Sequence, residues 1–317
     1  MPDSDLRHVE HGITVSAPAD TVYRLIEEIE NWPWLFPPTV HIDVIEREGS
    51  EERIRLWAVA NGEPKTWTSR RRLDSAARRV EFRQEVSQPP VGAMGGTWIV
   101  EPVGDASCRV RLLHHFRAVD DDPEKLAWIV TAVETNSTAE LAALKVGAEM
   151  EATHDGRLLT FDDTVRIAGA AKDVYDFLNE ARRWEERLPH VARVSLREDT
   201  PGLQLLEMDT RTRDGSTHTT RSVRVCTPHS RIVYKQIVLP PLMTVHTGSW
   251  TLRETEHGVD ATSRHTVVVN PESVPRILGE HAGLAQARAF LQDALSTNSL
   301  ATLGRAKEYA EGYRQLT

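Results

Sequence analysis

Alternating hydrophobic and polar positions run through most of the chain and predict β-strands. In the first half, Gly, Asn, Asp and Pro residues interrupt the alternation at intervals typical of turns. The predicted strands are residues 8–16, 40–47, 53–60, 66–73, 79–86, 96–102 and 109–119. Strands that follow one another at this spacing pair with their sequence neighbours, so we predict an antiparallel sheet.

Two other stretches of the first half have helical spacing. Apolar residues recur every three or four positions after Pro18, and this short helix is predicted to end near Glu30, because Pro33 cannot continue it. Residues 124–150 are rich in Ala, Leu, Glu and Lys and predict one long helix. We expect the aromatic residues that follow the short helix to lie exposed in a turn.

The second half repeats this order of elements. It predicts a strand over 159–167, a helix over 171–183, strands between 191 and 270, and a helix over 283–313. The residues repeat as well: GTWIVEP at 96–102 returns as GSWTLRE 152 positions later, and VSAPADTVY at 15–23 returns as IAGAAKDVY at the same offset. We therefore predict a tandem duplication.

The repeat divides the chain into two predicted domains, residues 1–152 and 157–317, joined by the polar, turn-prone segment 151–156. Each domain is of the α+β class, with a curved antiparallel sheet around a long carboxy-terminal helix. One helix cannot fill the concave side of a wide sheet, so we expect a cavity between them that holds small or lipid-like molecules.

Composition narrows the function classes. The 317 residues include 38 Lys and Arg against 47 Asp and Glu, a net charge of −9, which disfavours a nucleic-acid partner. No apolar stretch approaches the length of a membrane helix, and the polar amino terminus does not suit a signal peptide, so we expect a cytoplasmic protein without a membrane partner.

Cys108 and Cys226 are interpreted as plain core residues. No metal-ligand spacing or phosphate-binding glycine loop is present, so we expect neither a metal nor another cofactor.

Histidines occupy an inward position in matching strands of the two halves. Alternation places His114 on the same apolar face as Leu112 and Phe116, and it places His265 inward in the corresponding strand. Each imidazole could be a satisfied core residue or a proton-transfer group, and the alternation does not decide between these readings.

An arginine faces inward in the strand over 66–73. Trp67, Ser69 and Arg71 share one face, and the repeat places Ser222 and Arg224 at the equivalent positions. An inward guanidinium requires either a carboxylate partner or the oxygens of a ligand. Trp98 and its repeat Trp250 either line a cavity or belong to ordinary core packing.

Four motifs in the first half resemble a known family. They are I-E-N-W-P-W-L-F-P at 29–37, W-T-S-R-R-R at 67–72, G-G-T-W at 95–98 and H-H-F at 114–116. Together they resemble the aromatase/cyclases of bacterial aromatic (type II) polyketide synthases, which are helix-grip proteins with a START-like fold. The tandem layout is similar to the di-domain branch of that family, which closes or dehydrates the first ring between the seventh and twelfth carbons.

The resemblance implies roles for the inward residues. Arg71 would bind the chain and polarise a carbonyl, His114 would transfer protons and Ser69 would orient water, with Arg224 and His265 as weaker candidates through the repeat. Some relatives have a tyrosine where this chain has Thr39. The substrate-binding residues are expected to be Trp32, Trp67, Trp98, Phe116, Ser222 and Trp250.

The function implied by the resemblance is that of an aromatase/cyclase acting on a ketoreduced poly-β-ketone tethered to an acyl carrier protein. The ketosynthase and ketoreductase of the same pathway are further candidate partners. Arg70, Arg72, Arg78 and Arg79 form a basic cluster where the carrier protein could dock.

The alternatives to an aromatase/cyclase are a non-catalytic carrier of a hydrophobic small molecule and, for the second half, a domain that only stabilises its neighbour. We expect the first half, which keeps all four motifs, to carry the ring-forming step.

Overall fold

The computed structural model describes residues 6–60, 62–211 and 215–314. The chain divides into two compact units between Asp155 and Gly156. The predicted domains, 1–152 and 157–317, lie on either side of this division, and their outer ends, residues 1–5 and 315–317, lie outside the described residues. Within those residues, no helix is both long and apolar enough to span a bilayer.

The first unit contains an antiparallel sheet, which confirms the predicted strand order. Its strands are β1 (Arg7–Val15), β2 (Thr39–Glu48), β3 (Glu51–Ala60), β4 (Glu63–Asp74), β5 (Arg79–Gln84), β6 (Val91–Gly104) and β7 (Ser107–Ala118). They lie in the order β1-β7-β6-β5-β4-β3-β2 among the residues described. The first strand of the unit therefore pairs with its last strand, and strands β2 to β7 form a meander whose concave side packs against a helix.

The α-helices in the described part of this unit are α1 (Ala19–Glu27), α2 (Trp32–Leu35) and α3 (Pro123–Thr153). The α3 helix begins where the Oδ1 atom of Asp122 accepts hydrogen bonds from the backbone N–H groups of Glu124 and Lys125. Its buried positions, which include Ile129, Leu141 and Leu144, face the sheet. The predicted linker is wrong in part, because the helix continues through residues 151–153 before His154 ends it in the left-handed conformation.

The expectation of exposed aromatic residues after α1 is also wrong. Pro33 lies in the first turn of α2, where its missing N–H costs no hydrogen bond, so a new helical turn begins there. Trp32 and Trp34 are half-buried and Phe36 is buried. The Nε1–H of Trp32 donates to the carbonyl oxygen of Ile26 at 3.1 Å, which fixes the indole against the end of α1.

The second unit repeats the architecture of the first. Its strands are β8 (Leu158–Ile167), β9 (Val191–Thr200), β10 (Leu203–Arg211), β11 (Thr217–Thr227), β12 (Arg231–Val238), β13 (Met243–Thr255) and β14 (Gly258–Val269), and its helices are α4 (Ala171–Asn179), α5 (Trp184–Arg187), α6 (Val274–Leu278) and α7 (Leu284–Arg314). The sheet order is β8-β14-β13-β12-β11-β10-β9. The tandem helix-grip prediction is therefore confirmed.

Each sheet packs its inward residues against the terminal helix and the first short helix. In the first unit, Leu112 is fully buried in a cluster with Val22, Trp98 and Leu144. The cysteines Cys108 and Cys226 are buried free thiols, as the sequence suggested.

The alternation of β7 can be tested by shortening one leucine on each face. Leu112→Ala should lower the free energy of unfolding by about 2–5 kcal/mol, because it leaves a cavity in the core. Leu113→Ala, on the partly exposed opposite face, should cost clearly less. Urea-induced unfolding measures both; equal losses would contradict the assigned facing.

Candidate active site

A cavity of about 510 Å³ lies between the sheet and the α3 helix of the first unit. Strands β3 to β7 supply its concave wall, and one face of α3 covers it. The lining is mainly apolar and aromatic, with polar side chains from both the sheet and α3. The lining residues include Trp32, Phe36, Thr39, Trp67, Ser69, Arg71, Phe82, Met94, Trp98, His114, Trp128, Thr131, Ser137 and Glu140.

Six residues that the sequence predicted for this site line the cavity: Trp32, Trp67, Ser69, Arg71, Trp98 and His114. Thr39, which stands where some relatives have a tyrosine, lines the cavity as well. Phe116 does not line it. That ring is fully buried because it packs against Ile129 and Val133 of α3, so Phe116 is a core residue.

The guanidinium of Arg71 is buried and held from several sides. Its Nε–H and Nη2–H donate to Oε2 of Glu52, Nη1–H donates to the carbonyl oxygen of Ile26 at 3.2 Å, and Nη2–H donates to that of Glu27 at 2.9 Å. Both Arg71 and Glu52 are at most 3 % exposed. The structure therefore shows the carboxylate partner that the sequence left open, and among the described residues one Nη1–H of Arg71 has no partner.

Two further contacts orient this ion pair. Arg47 Nη2 lies 2.6 Å from the second carboxylate oxygen of Glu52, so Glu52 links two guanidinium groups. The Cζ atom of Arg71 lies 5.3 Å from the centre of the Trp32 ring, within the range of a cation–π contact. Burial lowers the pKa of Arg71, and the Glu52 carboxylate opposes that shift. The guanidinium thus keeps its charge in a fixed position.

His114 faces the cavity from β7. Its Nδ1 atom lies 3.4 Å from Oγ of Ser137 on α3, and its ring makes an edge contact with Phe82 at 5.6 Å. Burial, together with the nearby imidazoles of His11 and His115, lowers the pKa of His114 to about 4. This imidazole is therefore neutral near pH 7 and acts there as a hydrogen-bonding group and a weak base.

Glu140 is a cavity residue that the sequence argument missed. It lies on α3, one turn after Ser137, and both side chains line the cavity. Desolvation raises the pKa of its carboxyl from 4.5 to about 7, so it can give or take a proton near neutrality. The sequence did contain a signal for Glu140: it lies three residues after Ser137 on the predicted long helix, and this interval places two side chains on one face of a helix.

The matching residues of the second unit have different surroundings. Arg224 donates to the carbonyl oxygen of Leu178 at 2.7 Å and lies 5.2 Å from the Trp184 ring. Gln204 pairs with Arg224 across β10 and β11, as Glu52 pairs with Arg71 across β3 and β4. The carboxylate that meets the arginine in the first unit is therefore replaced by an amide in the second. Burial lowers the pKa of Arg224. Ser222 lies two positions before Arg224 on β11 and is partly buried.

His265 and Trp250 are both buried in the second unit. Trp250 belongs to a core cluster with Trp184, Leu188 and Ile232. Both ring nitrogens of His265 have partners, in contrast to the single long contact of His114. Among the described residues, no group of three His, Cys, Asp or Glu side chains is placed to hold a metal ion.

The sequence matches family models described as polyketide cyclase / dehydrase and lipid transport, over residues 7–149 and 167–291. It is 51% identical over 299 residues to the granaticin polyketide synthase bifunctional cyclase/dehydratase of Streptomyces virginiae, which covers 93% of this chain and 97% of that protein. It is 44% identical over 308 residues to the actinorhodin polyketide synthase bifunctional cyclase/dehydratase of Streptomyces coelicolor, covering 94% and 95% of the two chains.

Two solved di-domain structures are similar over nearly their whole length. The di-domain ARO/CYC BexL from the BE-7585A biosynthetic pathway superposes with a TM-score of 0.91 at 61% identity, covering 96% of this chain and 99% of that one. The di-domain ARO/CYC StfQ from the steffimycin biosynthetic pathway gives a TM-score of 0.89 at 37% identity, covering 97% and 99%. The similarity therefore extends through both units.

The raised pKa of Glu140 predicts a dependence of stability on pH. Because the unfolded chain releases this proton near pH 4.5 and the folded chain only near pH 7, the contribution of Glu140 to stability should be lost as pH rises across that window. Glu140→Gln should remove this loss, so that the variant gains Tm relative to the native protein between pH 4.5 and 7. Glu134→Gln, an exposed glutamate of the same helix, is the control. A Tm difference that is independent of pH would contradict the assignment.

Proposed function

Because the chain belongs to the family of di-domain polyketide cyclases/dehydratases, we propose that its first unit closes, dehydrates and aromatises the first ring of a ketoreduced poly-β-ketone. The observation that carries this proposal is the cavity itself, which combines the fixed charge of Arg71 with a carboxyl, Glu140, that titrates near neutrality. Both groups face a space walled by aromatic rings.

The first contribution of the cavity is positional. A poly-β-ketone condenses with itself in many ways, so a pocket that accepts one bend of the chain selects one carbon–carbon bond. The rings of Trp67, Trp98 and Phe82 offer flat apolar surfaces to the ring that forms. Ser69, buried in the wall, is assigned to hold a water molecule or a chain hydroxyl.

The second contribution is proton transfer by Glu140. Its carboxylate takes a proton from a methylene between two carbonyls, and the resulting enolate carbon attacks a ketone carbon to form the ring bond. The protonated carboxyl then returns the proton to the new alkoxide. In dehydration the carboxylate takes a second α-proton, the carbon–oxygen bond breaks, and the leaving hydroxide receives that proton and departs as water. Glu140 suits both directions because its pKa lies near neutral pH.

Arg71 and His114 support these steps without changing protonation. The remaining Nη1–H of Arg71 donates to the enolate or alkoxide oxygen, in the manner of an oxyanion site. Glu52 and the two backbone carbonyls prevent the guanidinium from turning away. The neutral imidazole of His114 binds a ketone or hydroxyl of the chain. The sequence analysis assigned proton transfer to His114, whereas this proposal assigns it to Glu140. The reason is that the pKa of His114, about 4, makes its imidazole a weaker base than the Glu140 carboxylate, whose pKa is about 7.

The substrate is proposed to arrive on an acyl carrier protein. Trp128 and Thr131 of α3 are exposed and also line the cavity, so the phosphopantetheine arm is assigned to enter beside them.

The basic cluster of Arg70, Arg72, Arg78 and Arg79 is less suited to docking a carrier protein than the sequence suggested. Arg70 pairs with Glu85, Arg78 with Asp20 and Arg79 with Glu81, which neutralises three of its four charges. Arg70 and Arg72 also alternate with the cavity-facing Ser69 and Arg71, so they point to the outer face of the sheet.

Replacing Glu140 tests catalysis against the alternative of a non-catalytic carrier. Glu140→Gln keeps the shape of the side chain and removes its titration, so formation of the aromatised product should fall about 10²–10⁴-fold. The assay mixes the full-length protein with a minimal polyketide synthase and a ketoreductase, and chromatography quantifies aromatised and shunt products. Glu134→Gln is the control. A native protein that leaves the product mixture unchanged while it binds polyketide would establish the carrier instead.

The division of labour between the units predicts unequal effects of matched substitutions. Arg71→Lys and His114→Gln should each reduce the aromatised product more than Arg224→Lys and His265→Gln do, because only the first pair lines the described cavity. The same product assay measures all four, after circular dichroism has verified folding. A larger loss from the second pair would transfer the ring-forming step to the second unit.

A further inference from the structure

A glycine lies beside His114 in the cavity wall of the first unit. Gly96 on β6 pairs with His114 on β7 and with Phe82 on β5, so the three residues form one row across the sheet. A Cβ atom at residue 96 would lie 2.5 Å from Cζ of Phe82 and closer still to the carbonyl oxygen of Leu113. Because glycine lacks that atom, the Phe82 ring lies across β6 and makes its edge contact with the imidazole.

The second unit has the same row of residues with a tyrosine in place of the phenylalanine. Gly248 pairs with His265 and with Tyr234, and a Cβ atom at residue 248 would lie 2.6 Å from the hydroxyl oxygen of Tyr234. This ring therefore also crosses the glycine. Its hydroxyl lies 3.1 Å from Nδ1 of His265, and Nε2 of His246, two positions before Gly248, lies 2.9 Å from the same atom. Two hydrogen-bonding groups therefore meet Nδ1 of His265.

The first unit has Phe82 and Met94 at the two matched positions. A phenyl ring has no hydrogen-bonding group and a thioether sulfur is a weak acceptor, so neither side chain binds an imidazole nitrogen firmly. Among the described residues, the hydrogen-bonding neighbour of His114 is Oγ of Ser137, 3.4 Å from Nδ1, which is a long separation for such a bond. Packing against Phe82 holds this imidazole in place, while its nitrogens stay available.

The proposed ring closure brings two kinds of oxygen to His114. A ketone oxygen only accepts hydrogen bonds, whereas the hydroxyl that ring closure forms also donates. A neutral imidazole that carries its proton on either nitrogen can donate to the first and accept from the second. A hydroxyl fixed at Nδ1 would hold the proton on one nitrogen and leave the other nitrogen with one of these two functions.

We propose that Phe82 is a positioning residue for the cyclisation: its ring, admitted by Gly96, supports the His114 imidazole from one side and leaves both nitrogens free to bind the chain. This inference rests on the proposed function of the first unit. The residue that crosses the glycine then distinguishes the two units, because Tyr234 restricts its histidine and Phe82 does not. The second glycine of G-G-T-W, one of the four motifs of the first half, is the position that makes this contact possible.

Exchanging the two aromatic residues tests the positioning directly, because phenylalanine and tyrosine differ by one hydroxyl. The full-length protein is labelled with ¹⁵N in its histidines, and the ring signals of His114 and His265 are assigned by their loss in His114→Gln and His265→Gln. In the native protein, exchange between tautomers should average the two ring-nitrogen signals of His114. Phe82→Tyr should separate them into a protonated and an unprotonated nitrogen. Tyr234→Phe, the matched control, should alter the signals of His265 and leave those of His114 unchanged.

Product formation separates this role from simple packing. Phe82→Tyr keeps the ring, so it should lower Tm little, yet it should reduce the aromatised product about tenfold in the reconstituted assay, because one hydrogen bond to the chain is lost. Phe82→Leu removes the ring without adding a hydroxyl, so it should lower Tm more and the product less. A residue that only fills the wall would give both losses in the same order, with leucine the more damaging, and that order would contradict the positioning role.

His114 signals in Phe82→Tyr that match those of the native protein would overturn the proposal, and so would a Phe82→Tyr variant that forms as much product as the native protein. If Phe82→Tyr does not fold, Tyr234→Phe decides alone: unchanged His265 signals would show that a hydroxyl across the glycine does not govern the imidazole. A native protein that forms no aromatised product would instead contradict the proposed function, so the two failures are distinguishable.

Discussion

A single helix laid against a wide, curved sheet leaves interior volume that side chains must either fill or line, and the chemistry of each unit depends on that constraint. In the first unit, the face of α3 that carries Ser137 and Glu140 covers the volume, and strands β3 to β7 line it. Large aromatic side chains reduce the volume to about 510 Å³, and polar groups from both the sheet and α3 remain on its lining. Desolvation by the surrounding side chains raises the pKa of Glu140 to about 7 and is the main reason why His114 stays neutral.

Buried charge imposes a second requirement, which the two units meet differently. In the first unit Glu52 offsets the cost of burying Arg71, and the backbone carbonyls at the end of α1 accept its other donors. The guanidinium is therefore a fixed donor instead of a mobile cation. In the second unit Gln204 replaces the carboxylate, and Arg224 retains an unsatisfied donor atom. The duplication preserved the arginine and changed its partner, which gives two electrostatic environments within the same fold.

The histidines diverged in the same way. His114 has one long contact to Ser137, while the equivalent His265 is bonded at both nitrogens. Tyr234 and His246, on neighbouring strands, contact Nδ1 of His265, and Ser263 on its own strand and Ser299 on α7 contact Nε2. An inward histidine kept in both halves is therefore no guide to a shared role, because its neighbours across the sheet determine what its nitrogens can do.

The sequence by itself determined the fold class, the duplication and the strand alternation that brings Trp67, Ser69, Arg71, Trp98 and His114 to one cavity, because strand periodicity and turn residues act locally. Only the tertiary structure decided which carboxylate meets Arg71, that Phe116 belongs to the core, that the aromatic residues after α1 pack inward and that Glu140 faces the cavity. Glu52 and Arg71 meet through the register of two strands, and Glu140 reaches the site through the rotation of a long helix about its axis. Register and rotation are set by packing between elements distant in sequence, so the pattern of residues along one element does not contain them.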